Sequence, residues 1–184
     1  LEPLGGVEEC DPAKIVPAVQ AAGICGMGGA TFPTHVKLTV GEGKYCDTII
    51  LNGAECETHV TCDHRLMIEE SERIVDGLRA AMRALGVKRG VIGIEDNKPD
   101  AIAAMQRAAE GREGVEVMPL FTKYPQGSEK QLIYSVTGRE VPSKKLPLDA
   151  HVIVINVGTA KAIADAVIEG LSLIHISEPT RQAE

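Results

Sequence analysis

The stretch Asp47-Thr-Ile-Ile-Leu-Asn52 decides the fold, because a short β-branched run of this kind forms a buried strand. Similar runs follow downstream as Gly90-Val-Ile-Gly-Ile94, Val115-Glu-Val-Met-Pro-Leu120 and His151-Val-Ile-Val-Ile-Asn156. Apolar residues at helical spacing lie between and after these runs and predict helices over 66–86, 97–109, 128–136 and 159–169. Strands joined by such helices need crossover connections, so we predict an α/β fold with a largely parallel sheet.

The composition of the 184-residue chain argues against two kinds of partner. Nucleic acid is disfavoured by the net charge of −7, the aromatic content of 3% and the absence of Trp. The apolar runs fall short of the roughly 20 residues that span a bilayer, so we expect no membrane span. The cysteine number, five, is odd and favours a reducing compartment over a disulfide scaffold.

The segment Gly23–Lys37 is the least ordinary part of the sequence. It begins with four glycines in seven residues, and glycines contribute no side chains to a core. We interpret it as a loop whose backbone comes close to a ligand, with Lys37 as a nearby cation. A purely structural turn is the alternative, and the spacing does not match the dinucleotide-binding fingerprint.

Polar residues follow each of the predicted strands. The carboxyl ends lead into Asn52–Glu55, Glu95–Asn97, Lys123–Glu129 and Asn156–Thr159. In an open parallel sheet ligands bind beyond these ends, so we predict a cleft for a polar cofactor that carries a phosphate. Simpler interpretations stay open: Glu95–Asn97 as a helix cap, Asn52 and Asn156 as partners of backbone groups, and Tyr124 as ordinary packing.

The pattern Cys56-x2-His59-x2-Cys62-x-His64 offers ligand types that zinc accepts. Its spacing is too tight for two separated ligand pairs, so we favour free thiols there and assign no metal ligand. Neither a Ser-His-Asp order nor a nucleophile elbow occurs, and hydrolytic chemistry therefore has no support.

A series of motifs in unbroken order resembles the C subunit of the Rnf electron-transport complex. That protein shares its flavin domain with the flavoprotein subunit of respiratory complex I and with a cobalamin reductase. The resemblance covers about residues 1–170. It rests on Gly26–Lys37, Leu51–Glu57, Thr61–Met67, Gly93–Pro99, Lys123–Gly127 and Thr137–Pro142.

The resemblance implies a Rossmann-like domain of the complex I flavoprotein type, which binds FMN and exchanges electrons with NAD(H) as its substrate. It implies no acid–base catalyst, and we assign none. Beyond this domain the family carries a ubiquitin-like domain and a ferredoxin-like domain with two [4Fe–4S] clusters. The residues that it implies around FMN are Gly26, Met27, Gly28, Lys37, Asn52, Glu55, Tyr124, Gly127, Ser128, Glu129, Asn156 and Thr159.

The resemblance also implies a domain plan and a setting. We expect a lead-in segment with a short helix at 1–22, and an FMN/NAD-binding domain at 23–170. Residues 171–184 resemble a translated sequencing adapter and are expected not to be native. The expected partners are other subunits of a membrane complex, with this domain peripheral at the cytoplasmic face of the bacterial inner membrane.

The sequence departs from the family pattern at several positions. Thr31, Ser128 and the pair Lys144-Lys145 replace residues that are usually glycine, and Thr58 replaces a usual proline. Thr31 is the substitution that would crowd a nucleotide. No Cys-x2-Cys-x2-Cys run occurs, so the [4Fe–4S] clusters are expected outside this chain. These departures motivate an alternative function, a non-catalytic docking module that has lost flavin binding.

Overall fold

A computed structural model describes residues 1–41 and 43–173 of the chain. In chain order its elements are α1 (Pro12–Ala21), α2 (Thr34–Lys37), β1 (Thr48–Gly53), α3 (Cys62–Glu69), α4 (Ser71–Leu85), β2 (Arg89–Glu95), α5 (Pro99–Ala109), β3 (Val115–Leu120), α6 (Glu129–Thr137), a 3₁₀ turn (Pro147–Ala150), β4 (Val152–Asn156), α7 (Val157–Ala164) and a π-helical turn (Asp165–Glu169).

The four strands form one sheet in the order β3-β2-β1-β4, and every neighbouring pair is parallel. A parallel sheet needs both of its faces covered, since its crossover helices must pack on them. Alternate residues of β1 divide between two apolar cores accordingly. Ile49 and Leu51 face the core with α1, α4, α5 and α7, whereas Ile50 faces the core with α6. The predicted α/β class and largely parallel sheet are confirmed.

The predicted helix over 66–86 is wrong in its bounds, because the chain forms two helices there. The helix α3 begins earlier, at Cys62, and Glu70 leaves the helical conformation with φ −124° and ψ 29°. The helix α4 then packs against α7 so closely that a Cβ at Gly77 would lie on the carbonyl of Ala160. Apolar spacing alone shows neither the early start nor the break, since no Gly or Pro marks them.

The helices α1, α6 and α7 each begin after a polar residue, and the predicted start of α6 at Ser128 agrees with the structure. Asp11 accepts a hydrogen bond from Ala13 N at 3.0 Å and caps α1, and Ser128 occupies the N-cap position of α6. The last helix was expected from Thr159, but it begins at Val157 because the Asn156 side chain caps it. The sequence pattern did not predict the short helix α2, which holds Lys37.

The predicted division into 1–22, 23–170 and 171–184 stays a prediction. Leu4 N donates to Val167 O at 2.8 Å, so the lead-in segment packs on the end of the domain. Leu173 N donates to Ala22 O at 3.0 Å, and residues 174–184 lie outside the described part. Among the helices of the described residues, none combines the length and the apolar character needed to cross a membrane.

Candidate functional site

The strand order places a crevice at the carboxyl edge of the sheet, between β1 and β4. The chain leaves β1 toward the face that holds α4 and enters β4 from the face that holds α6, so this is the topological switch point. The strand register pairs Asn52 of β1 directly with Asn156 of β4 at this point. Two of the predicted site residues are therefore neighbours in the sheet.

Asn52 connects the end of β1 with the loop between β3 and α6. Its Nδ2 donates to Gly127 O at 2.9 Å, and its Oδ1 accepts from Ala54 N at 3.1 Å. The loop lies so close that a Cβ at Gly127 would be 2.6 Å from Ala54 O. Glycine is needed here because any other side chain would push the loop away from the strand end.

Asn156 supports the glycine-rich loop. Its Oδ1 accepts from Gly158 N at 2.8 Å, and a Cβ at Gly28 would lie 2.7 Å from its Nδ2. Met27 N donates to Thr159 Oγ1 at 2.9 Å, which ties the loop to the first turn of α7. Gly26 N donates to Phe32 O and closes the loop on itself. The structure thus brings Gly26, Met27, Gly28, Asn156 and Thr159 together.

Lys37 brings a cation to the same region. Its Nζ donates to Val154 O at 3.0 Å, two residues before Asn156, and to Glu129 Oε1 at 3.4 Å. Both charged side chains are more than a third exposed, so solvent weakens this ion pair. An ammonium group carries three donors, and these two contacts leave one that an anion would accept.

Glu55, which the resemblance places beside FMN, binds the start of α3. Its Oε1 accepts from Asp63 N at 2.9 Å and its Oε2 accepts from His64 N at 3.1 Å, so its carboxylate caps α3. The Cys62 thiol also donates to Oε1, at 3.3 Å. The ligand atoms of Glu55, Cys62 and Asp63 lie within 4.8 Å of one another, but the contacts among them are those of a helix cap.

The remaining predicted residues lie in the loop before α6. Tyr124 is 74% exposed, so it is not packed in a core. Ser128 is exposed, and no side-chain hydrogen bond accompanies its N-cap position.

The pattern of cysteines and histidines after β1 has other contacts. All of the cysteines are free thiols, and His64 Nε2 pairs with Asp100 Oδ1 at 2.8 Å.

Two buried acceptors lie at this edge, on Glu95 and Gln126, and the sequence pattern did not predict a specific role for either side chain. Glu95 is 1% exposed, and its Oε1 has no partner among the described residues, while Oε2 lies 3.9 Å from Lys98 Nζ. Burial raises the pKa of Glu95, and the nearby Lys98 opposes that shift. Gln126 Oε1 is also buried and has no hydrogen-bond partner among the described residues. The helix-cap interpretation fails for Asp96, since it binds Thr122 N and Oγ1.

Asp63 was missed altogether. Its Oδ2 accepts from Asn156 Nδ2 at 2.6 Å, which joins α3 to the end of β4. Burial raises the pKa of Asp63, and the hydrogen bond from Asn156 opposes that rise. A position after Cys62 in a segment without apolar periodicity carries no sequence signal for this contact.

Open concavities elsewhere on the surface lack this convergence of polar groups. One of about 500 Å³ lies between α5 and β3, with Ala103, Arg107 and Val117 among its lining residues. Another of about 450 Å³ lies between α1, the end of α4 and the segments 38–40 and 44–46. Chemistry and topology together therefore favour the carboxyl edge as the site.

A parallel α/β domain with a glycine-rich loop at its switch point has the architecture of domains that bind nucleotide cofactors. The family model of the Nuo51 FMN-binding domain matches residues 19–165, and the chain belongs to this family.

Relatives among characterised proteins agree with this family and with the resemblance to the Rnf complex. The chain is 54% identical over 173 residues to the C subunit of the Na(+)-translocating ferredoxin:NAD(+) oxidoreductase complex of Acetobacterium woodii, covering 94% of this chain and 39% of the relative. It is 52% identical over 167 residues to the proton-translocating counterpart of Clostridium ljungdahlii, covering 91% and 36%. The chain thus spans less than half of these relatives.

Solved structures share the fold. The NAD+-reducing [NiFe]-hydrogenase in its H2-reduced state matches with a TM-score of 0.73 and 27% identity, over 90% of this chain and 33% of that chain. The air-oxidized state of such a hydrogenase matches with a TM-score of 0.69 and 28% identity, over 84% and 30%. The expected Rossmann-like architecture of the complex I flavoprotein type is confirmed.

Proposed function

We propose that this chain is the FMN-binding, NAD(H)-linked electron-transfer domain of an ion-translocating oxidoreductase complex. The main support is the switch point, where the glycine-rich loop, the paired Asn52 and Asn156, and Lys37 lie close together. The chain also belongs to a family named for FMN binding. The proposal concerns the longer parent protein as well, since relatives extend beyond this chain.

The residues at the carboxyl edge fit the chemistry of FMN. A phosphate needs a cation, and Lys37 offers one with a donor that its two contacts leave unused. A ring with N–H groups and a hydroxylated chain need acceptors, and Glu95 Oε1 and Gln126 Oε1 are buried acceptors without a partner in the described part of the chain. The donor and acceptor sets therefore match both ends of the molecule.

Bound FMN would supply hydride exchange with nicotinamide and single-electron transfer to iron–sulfur centres. The chain's own residues bind and orient it. Lys37 attracts the phosphate, while Met27 and Gly28 shape the floor against Thr159 and Asn156. Asn52 holds the loop before α6 through Gly127 O, so that Tyr124, Ser128 and Glu129 border the site.

In the parent protein, we propose that NAD(H) is the substrate and that two [4Fe–4S] clusters lie in the part beyond this chain. Other subunits of the complex are the proposed partners, and the domain would be peripheral at the cytoplasmic side of the bacterial inner membrane. The substrate and the partners draw on the names of the relatives, which are subunits of ion-translocating ferredoxin:NAD(+) oxidoreductase complexes, whereas the clusters and the location rest on the family resemblance alone.

Flavin reconstitution tests the proposal. Titration of the protein with FMN is expected to quench flavin fluorescence, and Asn52→Ala is expected to weaken binding by about tenfold, because it removes two hydrogen bonds at the strand end. Gln106→Ala, which removes an exposed amide on α5, is the matched control and is expected to bind normally. Failure of the full-length parent to retain FMN would refute the proposal.

A second candidate is a non-catalytic docking module. Thr31, which has a φ of 51° in the glycine-rich loop, and the exposed rings of Phe121 and Tyr124 favour it. NADH-dependent ferricyanide reduction by the parent distinguishes the two functions. Activity that is lost in Asn52→Ala and kept in Gln106→Ala excludes a docking-only role.

A further inference from the structure

The side-chain amide of Asn156 is held between two groups of opposite hydrogen-bonding character. On one side Gly158 N, which only donates, reaches Oδ1 at 2.8 Å. On the other side Asp63 Oδ2 accepts from Nδ2 at 2.6 Å. An ionised carboxylate only accepts, so this pair of neighbours permits one of the two orientations of the amide and excludes the flipped one.

Asp63 is itself fixed from β1. Glu55 lies just beyond the end of that strand, and its two carboxylate oxygens accept from Asp63 N and His64 N at 2.9 and 3.1 Å. A carboxylate at the first turn of α3 is favourable because it satisfies N–H groups that the helix leaves free. Contacts therefore run from β1 through the start of α3 to the end of β4.

The glycine-rich loop rests on the amide that this series of contacts fixes. A Cβ at Gly28 would come within 2.7 Å of Asn156 Nδ2, so the loop backbone lies directly against that atom. A flipped amide would place Oδ1 there and would turn a donor toward Gly158 N, which has no acceptor to offer. The orientation of one side chain thus decides the surface beneath the loop.

We propose that Asp63 is a positioning residue of the FMN site, which acts through Asn156 by fixing the orientation of its amide and does not touch the ligand. This role rests on the proposed function only in that the proposed function identifies the ligand as FMN. The contacts that carry it join residues of this chain alone.

The test compares variants at Asp63, on α3, with a variant at Asp100, which pairs with His64 on the same helix. Asp63→Ala removes the acceptor, whereas Asp63→Asn keeps one through its Oδ1 and removes the charge. Asp100→Ala is the matched control, because it breaks the contact of His64 on the same helix and leaves Asn156 alone. We expect Asp63→Ala to weaken FMN binding by about tenfold, and Asp63→Asn and Asp100→Ala to change it by less than about threefold.

A ligand-independent readout separates this proposal from the proposed function. In ¹⁵N-labelled protein without FMN, the Asn156 side-chain NH₂ signal, assigned by its loss in Asn156→Asp, is expected to shift in Asp63→Ala and to stay near its wild-type position in Asp63→Asn and Asp100→Ala. An unchanged signal in Asp63→Ala would overturn the positioning role. Equal loss of FMN affinity in Asp63→Ala and Asp100→Ala would also overturn it. Absence of FMN binding in wild-type protein with the expected NH₂ shifts would instead count against the proposed function.

Discussion

At the amino edge of the sheet the Arg139 guanidinium donates to Asp47 Oδ1 at 2.8 Å and to Ala150 O at 3.1 Å, whereas at the carboxyl edge Glu95 Oε1 has no partner among the described residues. Asp149 is likewise satisfied at the amino edge, by Leu146 N at 2.9 Å and by Lys44 at 3.4 Å. Arg139 and Asp149 thus close loops onto strands at the amino edge, whereas Glu95 keeps an unused acceptor at the carboxyl edge.

Asp47 at the amino edge differs from Glu95 and Asp63 at the carboxyl edge in the direction in which its pKa is shifted. The hydrogen bond from Arg139 holds the pKa of Asp47 below its usual range. Burial raises the pKa of Glu95 and of Asp63, while Lys98 opposes the rise at Glu95 and the Asn156 amide opposes it at Asp63. Buried acids with a raised pKa are frequent at functional sites, which agrees with ligand binding at the carboxyl edge.

Charge reversal at matched lysines gives the largest expected difference between the edges. Lys37 and Lys44 each lie 3.4 Å from a carboxylate, at the carboxyl and the amino edge respectively. Lys37→Glu is expected to weaken FMN binding by about a hundredfold, since a carboxylate would repel the phosphate. Lys44→Glu is expected to leave the affinity unchanged. Fluorescence titration of both variants checks this, and equal affinities would remove the electrostatic argument for the site.

Close approach of the backbone gives the next largest effect. Gly28→Ala would place a methyl group 2.7 Å from Asn156 Nδ2, so the loop must move. We expect about tenfold weaker FMN binding and a loss of about 1–2 kcal/mol in the free energy of unfolding. Gly41→Ala, in the loop that leads toward the amino edge, meets nothing within 4 Å and is the control. Urea unfolding and flavin titration measure both, and a normal Gly28→Ala protein would show that the loop is free of Asn156.

The sequence could predict the meeting of Asn52 and Asn156 for a general physical reason. Each ends a β-branched run, and the carboxyl ends of parallel strands share one edge of the sheet. The glycine-rich loop could also be assigned to that edge. A segment without core-forming side chains is expected to bring its backbone close to a ligand, and the ligand is expected at the carboxyl ends of the strands.

The sequence could not predict the cap of α3 by Glu55 or the contact of Asp63 with Asn156. The segment before Met67 has no apolar periodicity, so a helix was expected only from residue 66, while tertiary hydrogen bonds start it at Cys62. The sequence also could not predict the contact of Lys37 with β4, since Lys37 donates there to the backbone carbonyl of Val154. Contacts between backbone groups and distant side chains leave no periodic trace in a sequence.

A pH series tests the amino edge. The pKa of Asp47 is lowered, so its ion pair with Arg139 contributes stability above the unfolded pKa of about 3.9 and loses it as the pH falls through the folded value. Both side chains are more than a third exposed, so we discount the pair to about 0.5–1 kcal/mol. Arg139→Gln should be less stable than the wild-type protein by that amount at pH 7, and this difference should shrink below pH ~3.9 as Asp47 becomes protonated in the wild-type protein. Urea midpoints compared with Arg89→Gln, at an exposed pair, decide the point; a constant deficit at all pH values would contradict it.

Two non-glycine residues with left-handed backbone give the smallest and most local comparison. Thr31, with φ 51°, lies in the carboxyl-edge loop, and Lys144, with φ 61°, lies in the loop that leads to the amino edge of β4. The left-handed region costs a β-branched residue more than an unbranched one, and glycine avoids that cost but gains entropy in the unfolded chain. Thr31→Gly is therefore expected to raise the free energy of unfolding by about 0.5–1 kcal/mol, and Lys144→Gly to change it by less. A relaxed loop stays in contact with Asn156 more often, so only Thr31→Gly should also tighten FMN binding, by about twofold. Tighter binding in Lys144→Gly, or weaker binding in Thr31→Gly, would show that backbone strain in the glycine-rich loop has no part in ligand affinity.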